Sequence, residues 1–469
     1  MNDITTKQVS DSLAVSDDAS KEVLDVPVQS RRDFFKKISL LSVSAVASAT
    51  ILSPTKAAAQ ANVSEPKWIQ PEWMSRLGHK VNWHPYGLPS PYEHNIVRRT
   101  VPLFSSGDMY AAVAMCPLYD SSGIITPNGL FFCRDHGGTP IIDPNEYRLM
   151  IDGLVEKPLL LTLDQIKRYP AEDRIHFIEC PANGAAGFRG PQFDSLQFSK
   201  GMLSCAQWTG VKLSVLLADV GVKPEAKWML AEGGGPQTLS RTVPIEKVLD
   251  DAMIVWAQNG EAIRPENGYP ARLLLPGWEG NLNIKYVRRL HFGKHPLHTQ
   301  QETADYTMLT PTGKAIQSFF PLAVNSVITS PCPERPWTDL KPGDMVEISG
   351  IAWSGQGTIT HVDISFDGGN NWVEAPLSGL VLPKCWTRFV YQYKWEGKSI
   401  ILASRARDDS GDIQPTLDTQ ISKIGVHAVY HKNAIFYWQV LADGTVTKVQ
   451  MRNDAKIDAA IHKLQRGGK

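Results

Sequence analysis

Polar and apolar residues alternate along the last third of the chain. In the stretch VDISFDGGNNWVEA, Val362, Ile364 and Phe366 recur at every second position, with polar residues between them. A spacing of two places such side chains on one face of a β-strand. The DGGN that follows predicts a turn, and a second strand is expected to begin at Trp372. Several such strands between about 322 and 445 predict an immunoglobulin-like β-sandwich.

The pattern is different between about residues 125 and 320. YRLMIDGLV and RLLLPGW are typical of short strands, whereas LTLDQIKRYP, KLSVLLADVGV and VPIEKVLDDA are typical of short helices. Because strands and helices do not alternate regularly, the segment predicts an α+β domain with a mixed sheet rather than a doubly wound one. Residues 62–110 are rich in Pro and Trp and predict an irregular lead-in.

The N-terminus carries a candidate export signal. SRRDFFK (30–36) matches the bacterial twin-arginine pattern S-R-R-x-F-x-K. The apolar segment that follows, 38–52, has about fifteen residues, fewer than the roughly 20 of a spanning helix, so a membrane anchor is the weaker alternative. KAAAQA offers cleavage after Ala59 or Ala61. Since this route exports folded proteins, often with a cofactor already loaded, we predict a periplasmic protein without a membrane span.

These patterns divide the chain into four predicted segments. Residues 1–61 form the signal peptide, 62–321 a catalytic domain, 322–445 the sandwich, and 446–469 a polar tail. A chain of 469 residues is long enough for two such domains.

Composition excludes several classes of protein. Lys+Arg and Asp+Glu both total 48, so no excess of positive charge is available for binding nucleic acid. The six cysteines include no CxxC pair, which argues against a zinc ribbon and a disulfide framework. Because no CxxCH occurs, we also expect no covalently attached c-type haem in this chain.

Cys180 lies in the segment HFIECPANGAAGFRG (176–190), between an apolar run and a loop rich in Gly and Ala. Small residues let a backbone approach a bound group closely. A cysteine thiolate is a soft ligand for a transition metal. A buried structural cysteine is the alternative, and it is the favoured interpretation for the other five. Those are Cys116, Cys133, Cys205, Cys332 and Cys385.

Five motifs between about 125 and 425 resemble, in the correct order, the sulfite oxidase family of molybdenum-pterin enzymes. FFCRDHG (131–137) resembles F-F-x-R-N-H-G, and CPANGAAGFRG occupies the place of the family's cysteine followed by Ala-Gly-Asn-Arg. AQWTGVKL (206–213) resembles A-x-W-x-G-V-x-L. NGYPARLLLPGWEGNLNIKYV (267–287) resembles H-G-[FY]-P-x-R-[VL]-x-V-P-G followed by K-W. AWSGQGTITHVDISFDGGNNW is similar to the second domain of the family, a sandwich used for dimer contacts.

The resemblance implies a Mo-molybdopterin cofactor with Cys180 as the protein ligand of the metal. A pterin that ends in a phosphate needs cations and close backbone N–H groups. The resemblance assigns that duty to Phe132, Cys133, Arg134, Asp135, His136, Asn267, Arg272, Asn283, Ile284 and Lys285. It further implies that Arg134 and Arg189 bind an anionic sulfur substrate and that Trp208 walls the pocket.

The sequence departs from the family pattern at four positions. Asn267 stands in place of a His, and Asp135 in place of an Asn. Asn still offers donors and an acceptor without titrating, so cofactor binding is expected to persist. Arg189 is the nearest candidate for an arginine that the family has closer to its cysteine. Trp256 occupies the place where we expect the family's tyrosine near the metal, which implies an altered anion pocket.

Within the family, the export signal, the missing haem domain and the ending HKNAIFYWQVLADGTV are most similar to molybdenum subunits of Sox-system sulfane dehydrogenases. That resemblance implies oxidation of carrier-bound cysteine persulfide, with a c-type cytochrome and a sulfur carrier protein as partners and a homodimer within a heterotetramer. Oxidation of free sulfite is the alternative function. A non-catalytic scaffold is a third, which the presence of Cys180 and the cofactor cations disfavours.

The ligand assignment predicts the behaviour of Cys180→Ser. The variant should retain the pterin, because the pterin contacts lie elsewhere, but its turnover should collapse because the thiolate is lost. Pterin content and activity of the purified variant check this, and full activity would show that the assignment is wrong.

Overall fold

The computed structural model of the protein contains both the mixed sheet and the sandwich that the sequence predicts. The structure describes residues 74, 86–102, 110–190, 193–316, 319–455, 457 and 459, and not the side chain of Arg189. The predicted signal peptide lies outside these residues. The chain from Tyr86 to Lys469 belongs to one compact unit.

The described strands are short, and five short α-helices lie between them. The strands are β1 (Arg99–Pro102), β2 (Ala112–Met115), β3 (Cys133–Asp135), β4 (Arg148–Gly153), β5 (Leu159–Thr162), β6 (Glu172–Glu179), β7 (Leu203–Lys212), β8 (Trp228–Gly233), β9 (Ser240–Pro244), β10 (Met253–Gln258), β11 (Glu261–Ala262), β12 (Arg272–Leu274), β13 (Val287–Gly293), β14 (Met308–Leu309), β15 (Ala315–Ile316), β16 (Asn325–Ser330), β17 (Met345–Trp353), β18 (Ile359–Ser365), β19 (Val373–Glu374), β20 (Leu377–Ser378), β21 (Trp386–Lys394), β22 (Ile400–Asp408), β23 (Tyr437–Val440) and β24 (Val446–Val449). The helices are α1 (Leu163–Ile166), α2 (Leu196–Lys200), α3 (Leu213–Val220), α4 (Ile245–Asp250) and α5 (Leu417–Ile424).

A mixed five-stranded sheet forms the base of the first domain. Its order is β5-β4-β13-β8-β9, with β13 parallel to β4 and antiparallel to β8. Leu149 and Ile151 of β4 and Leu290 and Phe292 of β13 point into one core because they are spaced by two. The prediction of an α+β domain with a mixed sheet is confirmed.

A second sheet of the first domain presents Cys180. It has the order β11-β10-β7-β6, and β12 pairs with β10. β7 pairs with strands on both sides and is buried along most of its length. β6 ends at Glu179, so Cys180 is the first residue beyond the strand. The 3₁₀ helix Ala185–Arg189 follows after a turn.

The sandwich consists of two sheets, β16-β17-β21-β20 and β19-β18-β22-β23-β24. Val362 and Ile364 on β18 are fully buried, as their spacing of two predicts. β24 pairs with β23 and extends the sandwich to Val449, beyond the boundary at 445. The polar tail predicted from 446 is corrected here, because Val446 is buried against the sandwich core.

The two domains share one hydrophobic core. A single buried cluster contains Phe177 and Trp208 of the first domain together with Trp353 and Trp386 of the sandwich. Backbone also meets backbone at this junction, since Gly355 N donates to Leu322 O at 2.9 Å and Leu322 N donates to Gly277 O at 2.9 Å. Within the described residues, no helix is both long and apolar enough to span a bilayer.

The junction predicts a strong effect of Gly355→Ala. A Cβ at this position would lie 2.0 Å from Gly277 O and 2.6 Å from Leu322 O, so two backbones would have to separate. We expect the free energy of unfolding to fall by about 3 kcal/mol, the upper part of the usual range for overpacking. Chemical denaturation measures this.

Gly129→Ala is the matched control, since the nearest atom to its added Cβ is the end of the flexible Arg264 side chain at 3.6 Å. Equal stability of the two variants would contradict a tight junction at Gly355.

Candidate functional site

A cavity lies where β3, the end of β6, β12 and the segment 280–285 meet. These elements come from distant parts of the chain and converge because β2–β3, β6–β7 and β10–β12 all pack around the shared core. Its walls are formed by Phe131, Phe132, Cys133, Arg134, His136, Ile178, Cys180, Leu239, Glu266, Asn267, Arg272, Gly280, Asn281, Asn283, Lys285 and Tyr306. Most of the cofactor-binding residues predicted from the sequence are therefore brought together.

Cys180 is 6% exposed and lies in the wall of this cavity. Its N–H donates to Met202 O at 3.0 Å, which ties the end of β6 to the start of β7. Burial raises the pKa of the Cys180 thiol, and the charge of Arg134 opposes that rise. Gly280 comes so close that a Cβ there would lie 3.3 Å from the Cys180 Cα. The thiol is thus held rigidly in a narrow place beside a cation.

Lys285 joins the FFCRDHG segment to the segment 280–285. Its Nζ forms an ion pair with Asp135 Oδ1 at 2.8 Å and donates to Glu266 O at 3.0 Å and Arg134 O at 3.3 Å. Burial raises the pKa of the neighbouring Cys133 thiol to about 12, so Cys133 stays protonated. Asp135, which replaces the family's Asn, thereby supplies the partner for Lys285.

Arg272 is buried and forms part of the cavity wall. Its guanidinium donates to Asn267 O at 2.7 Å and to Asn283 O at 2.9 Å, and its centre lies 5.2 Å from the ring centroid of Trp208. Burial lowers the pKa of Arg272 to about 10, which leaves it charged at neutral pH. Asn267 Oδ1 and Arg272 Nε are buried without a hydrogen-bond partner among the described residues. Unsatisfied polar atoms in a cavity wall indicate a missing ligand.

His136 and Tyr306 lie at another side of the cavity. Burial and the charge of Arg134 lower the pKa of His136 to about 4, against the opposing charge of Asp135. The imidazole is therefore neutral near pH 7, and its Nε2 lies 3.3 Å from the Tyr306 hydroxyl. Tyr306 was not predicted, because it belongs to a segment around the π-helix Gln301–Asp305 without a recognised motif.

A buried ionic network supports Tyr306 and Asn281 from behind. The Glu279 carboxylate pairs with His431 and with Arg241, and it accepts from Asn281 Nδ2 at 2.9 Å. The Arg241 guanidinium lies 5.1 Å from the Tyr306 ring centroid. His431 belongs to the second domain, so this network links both domains at the cavity.

Four predicted site residues do not line this cavity. Trp208 is fully buried between Phe131 and Arg272, with its Nε1 donating to His176 O at 3.2 Å. Trp256 packs against the core beneath the mixed sheet, and Tyr306, not Trp256, brings the aromatic ring and hydroxyl to the cavity. The other two are Ile284, which is fully buried in that same core, and Asp135, which lines two adjoining cavities. The side chain of Arg189 lies outside the described residues.

The cations and hydrogen-bonding groups around this cavity and an adjoining one fit a pterin that carries a phosphate. An adjoining cavity shares Arg134, His136 and Lys285 with the first, and its remaining wall is rich in glycine, including Gly233 and Gly235. Such a wall allows a flat ring to approach backbone N–H groups. Among the described residues, no group of three or more His, Cys, Asp or Glu side chains is arranged to hold a metal ion. A metal beside Cys180 would therefore need most of its ligands from a bound molecule.

Two family models match the chain. Residues 136–301 match the oxidoreductase molybdopterin binding domain, and residues 316–437 match the Mo-co oxidoreductase dimerisation domain. The fold and site thus define a molybdopterin oxidoreductase, and molybdopterin carrying molybdenum is its cofactor, as the sequence predicts.

Similarity to known proteins narrows the class of molybdopterin oxidoreductase. Sulfite oxidase of Rattus norvegicus is 27% identical over 71% of this chain and 64% of its own length, and that of Gallus gallus is 28% identical over 62% and 68%. The chain therefore spans about two thirds of the length of each of these two curated relatives. A solved structure of the sulfane dehydrogenase SoxCD from Paracoccus pantotrophus is 44% identical, with a TM-score of 0.79 over 82% of this chain and 98% of that one.

The chain belongs to the sulfite oxidase family of molybdenum-pterin sulfur oxidoreductases. The predictions of the family, the fold and the cofactor are confirmed, while the roles of single residues stay predictions.

The buried network predicts the pH dependence of Glu279→Gln. Burial raises the pKa of Glu279, but His431, Arg241 and Asn281 together hold it below its ordinary value of 4.5. A lowered pKa in the folded state contributes stability that is present above pH 4.5 and is lost as the pH falls further. We expect the variant to lose about 3 kcal/mol at pH 7, as for one broken buried pair, and the difference from the native protein to shrink below pH 4.5.

Urea denaturation at pH 7 and at pH 4 checks this. Glu396→Gln is the control, because that side chain is 60% exposed beside Lys398 and should cost little at either pH. A difference that is the same at both pH values would rule out the charge of Glu279 as its cause.

Proposed function

We propose that the chain is the molybdenum subunit of a periplasmic sulfane dehydrogenase. It oxidises the sulfane sulfur of a cysteine persulfide on a carrier protein and passes the electrons to a c-type cytochrome. The observation that carries this proposal is the likeness to SoxCD, 44% identical over 98% of that chain, against 27% and 28% for the two sulfite oxidases above.

The contacts of the cavity support a division of labour between its residues. Cys180 is the metal ligand, because it lies in the cavity wall with Arg134 lowering its pKa, whereas burial raises the pKa of the other cysteine there, Cys133, to about 12. A ligand must be a thiolate, and burial alone would keep this thiol protonated. Arg134, together with the metal itself, therefore stabilises the ionised form. Bound molybdopterin supplies a metal that accepts two electrons from sulfur as an oxygen atom is transferred.

Cations and amides around the cavity hold the pterin. Arg272 and Asn267 offer the unsatisfied Nε and Oδ1, and Lys285 offers an ammonium that Asp135 orients. Phe132, Cys133, His136 and Asn283, which also line the cavity, complete the set, whereas Ile284, predicted as a member, supports it from the core. Asn283 acts from behind, because its Oδ1 accepts from Leu275 N at 2.7 Å while its carbonyl accepts from Arg272.

Arg134 and Arg189 orient the anionic end of the substrate, since a guanidinium suits a planar or tetrahedral oxyanion. Tyr306 and neutral His136 add a donor and an acceptor without another charge. Trp208 acts indirectly, by stacking on Arg272, and Trp256 supports the core below the cavity.

The same proposal includes export by the twin-arginine route, no haem in this chain, and a homodimer within a heterotetramer. The match of residues 316–437 to a dimerisation domain supports a contact between two sandwiches. The sandwich also exposes large apolar side chains at Met345, Val373 and Leu380, which suit such a contact.

Assays with two different substrates test the proposed function. Purified holoenzyme, after metal analysis, is assayed with free sulfite and with a persulfidated carrier peptide, using its native cytochrome as acceptor. We expect turnover of the persulfide to exceed that of sulfite by at least about tenfold.

Three outcomes are informative. Molybdenum with faster sulfite turnover would establish the alternative, a free-sulfite dehydrogenase, which the likeness to sulfite oxidases supports. Molybdenum without turnover of either substrate would sink both proposals. Absence of molybdenum from protein purified with an active cofactor supply would favour a scaffold.

A further inference from the structure

A second, smaller cavity lies behind the loop that follows Cys180. It shares no wall residue with the catalytic cavity. Three lysines, Lys200, Lys432 and Lys448, line it together with Gly184 and Gly187 of the loop. They come from α2, from the segment before β23 and from β24, so the tertiary structure alone brings them together.

The three ammonium groups have little compensating charge. Lys200 is fully buried, and its Nζ donates to Lys432 O at 3.2 Å. Lys448 Nζ donates to Ser199 Oγ at 3.3 Å. Lys432 is 7% exposed, and within the described part of the chain its Nζ has no hydrogen bond and no ion pair but lies 5.6 Å from the ring centroid of Phe188. None of the three forms a salt bridge with a described carboxylate.

The nearby acidic groups already accept hydrogen bonds from other donors than the three ammonium groups. The Glu179 carboxylate, which faces Lys200, accepts from Asn183 Nδ2 at 2.9 Å and from Trp353 Nε1 at 2.7 Å. Asp194, which faces Lys448, accepts from the Lys448 backbone N–H at 2.7 Å. The cavity therefore holds more positive than negative charge, and its other walls include apolar side chains such as Phe436.

Burial and mutual repulsion make this arrangement costly without a ligand. Burial, against the charge of Glu179, lowers the pKa of Lys200 to about 8. Burial and the charge of Lys200 lower the pKa of Lys448 to about 8 and that of Lys432 well below its ordinary value. An unpaired buried cation is unfavourable, whereas a bound anion would offset all three charges at once.

We propose that this lysine cavity binds one small tetrahedral oxyanion with two negative charges, of the class of sulfate and phosphate. Ammonium groups from three sides suit a compact multivalent anion better than a planar one. Gln450 Nε2 donates to Gly187 O at 2.6 Å, and its Oε1 is buried without a donor among the described residues. Monohydrogen phosphate carries a proton that this oxygen could accept, and sulfate does not.

An anion bound in the lysine cavity would also hold in place the loop that follows Cys180. Gly187 lies so close to Lys432 that an added Cβ would be 2.7 Å from its Cε, and a Cβ at Gly184 would be 3.4 Å from the Lys200 Nζ. Neutralised lysines would therefore pack more firmly against this loop. The site does not depend on which sulfur compound the enzyme oxidises.

Anion-dependent stability of the holoenzyme tests the proposal. Melting temperatures are compared in sodium sulfate, sodium phosphate and sodium chloride at equal ionic strength, and calorimetric titration gives the affinity. We expect sulfate or phosphate to raise the melting temperature of the native protein, relative to chloride, by more than that of Lys432→Met. A ligand of the folded state stabilises the native protein, whereas the general effect of these salts acts equally on both proteins. Lys432→Met should weaken binding by at least about tenfold, since one charge-assisted contact is lost.

Lys448→Met is a second variant for use if Lys432→Met fails to fold, and Lys341→Met is the control, because Lys341 is exposed in the sandwich. The affinity for sulfate, which stays doubly charged, should fall as the pH rises above about 8, because Lys200 and Lys448 lose their protons. The titratable groups that face the site are Lys200, Lys432, Lys448, Glu179, Asp194 and Tyr437, and burial raises the pKa of Tyr437 to about 12.

Stronger binding of phosphate than of sulfate would assign the ligand to phosphate, and the reverse would assign it to sulfate. Equal melting temperatures in all three salts, or undiminished binding by both lysine variants, would overturn the proposal.

Discussion

The contact that holds the Cys180 segment between the two domains is the constraint on which the site depends. Trp353 of the sandwich donates to the carboxylate of Glu179 at 2.7 Å, and the His431 N–H donates to Pro181 O at 2.7 Å. These bonds flank Cys180 on both sides and are largely buried. Because a buried polar group that loses its partner is costly, neither domain can move away from the thiol without loss of stability. The sandwich is thus part of the site as well as a candidate dimer surface.

The cations near that thiol have defined partners. Arg272 donates to carbonyl oxygens and lies over an aromatic ring, Lys285 pairs with Asp135, and Arg241 pairs with two buried glutamates. Each cation keeps a fixed geometry because its partners are buried with it. Fixed cations and unsatisfied amides suit a large anionic cofactor, which would otherwise have to reorganise the protein on binding.

Local sequence was sufficient to predict much of this architecture. The FFCRDHG and NGYPARLLLPGWEGNLNIKYV segments contain the residues that the structure brings to the cavity, since their spacing is set by short strands and tight turns. The periodicity around Val362 predicted a buried strand correctly, because a spacing of two depends on strand geometry alone. The aromatic residue of the cavity shows what local sequence could not predict. Tyr306, rather than Trp256, reaches the cavity because it packs against Arg241 and His136 across the fold.

The sequence by itself indicated the class of cofactor and the order of the two domains, because the motifs that resemble the sulfite oxidase family each lie within a short stretch of the chain. Only the tertiary structure decided how the sandwich clamps Glu179, how His431 reaches Glu279, and how three lysines meet in one cavity. Those contacts join residues far apart in sequence, and no local periodicity carries information about which distant side chains will share a buried space.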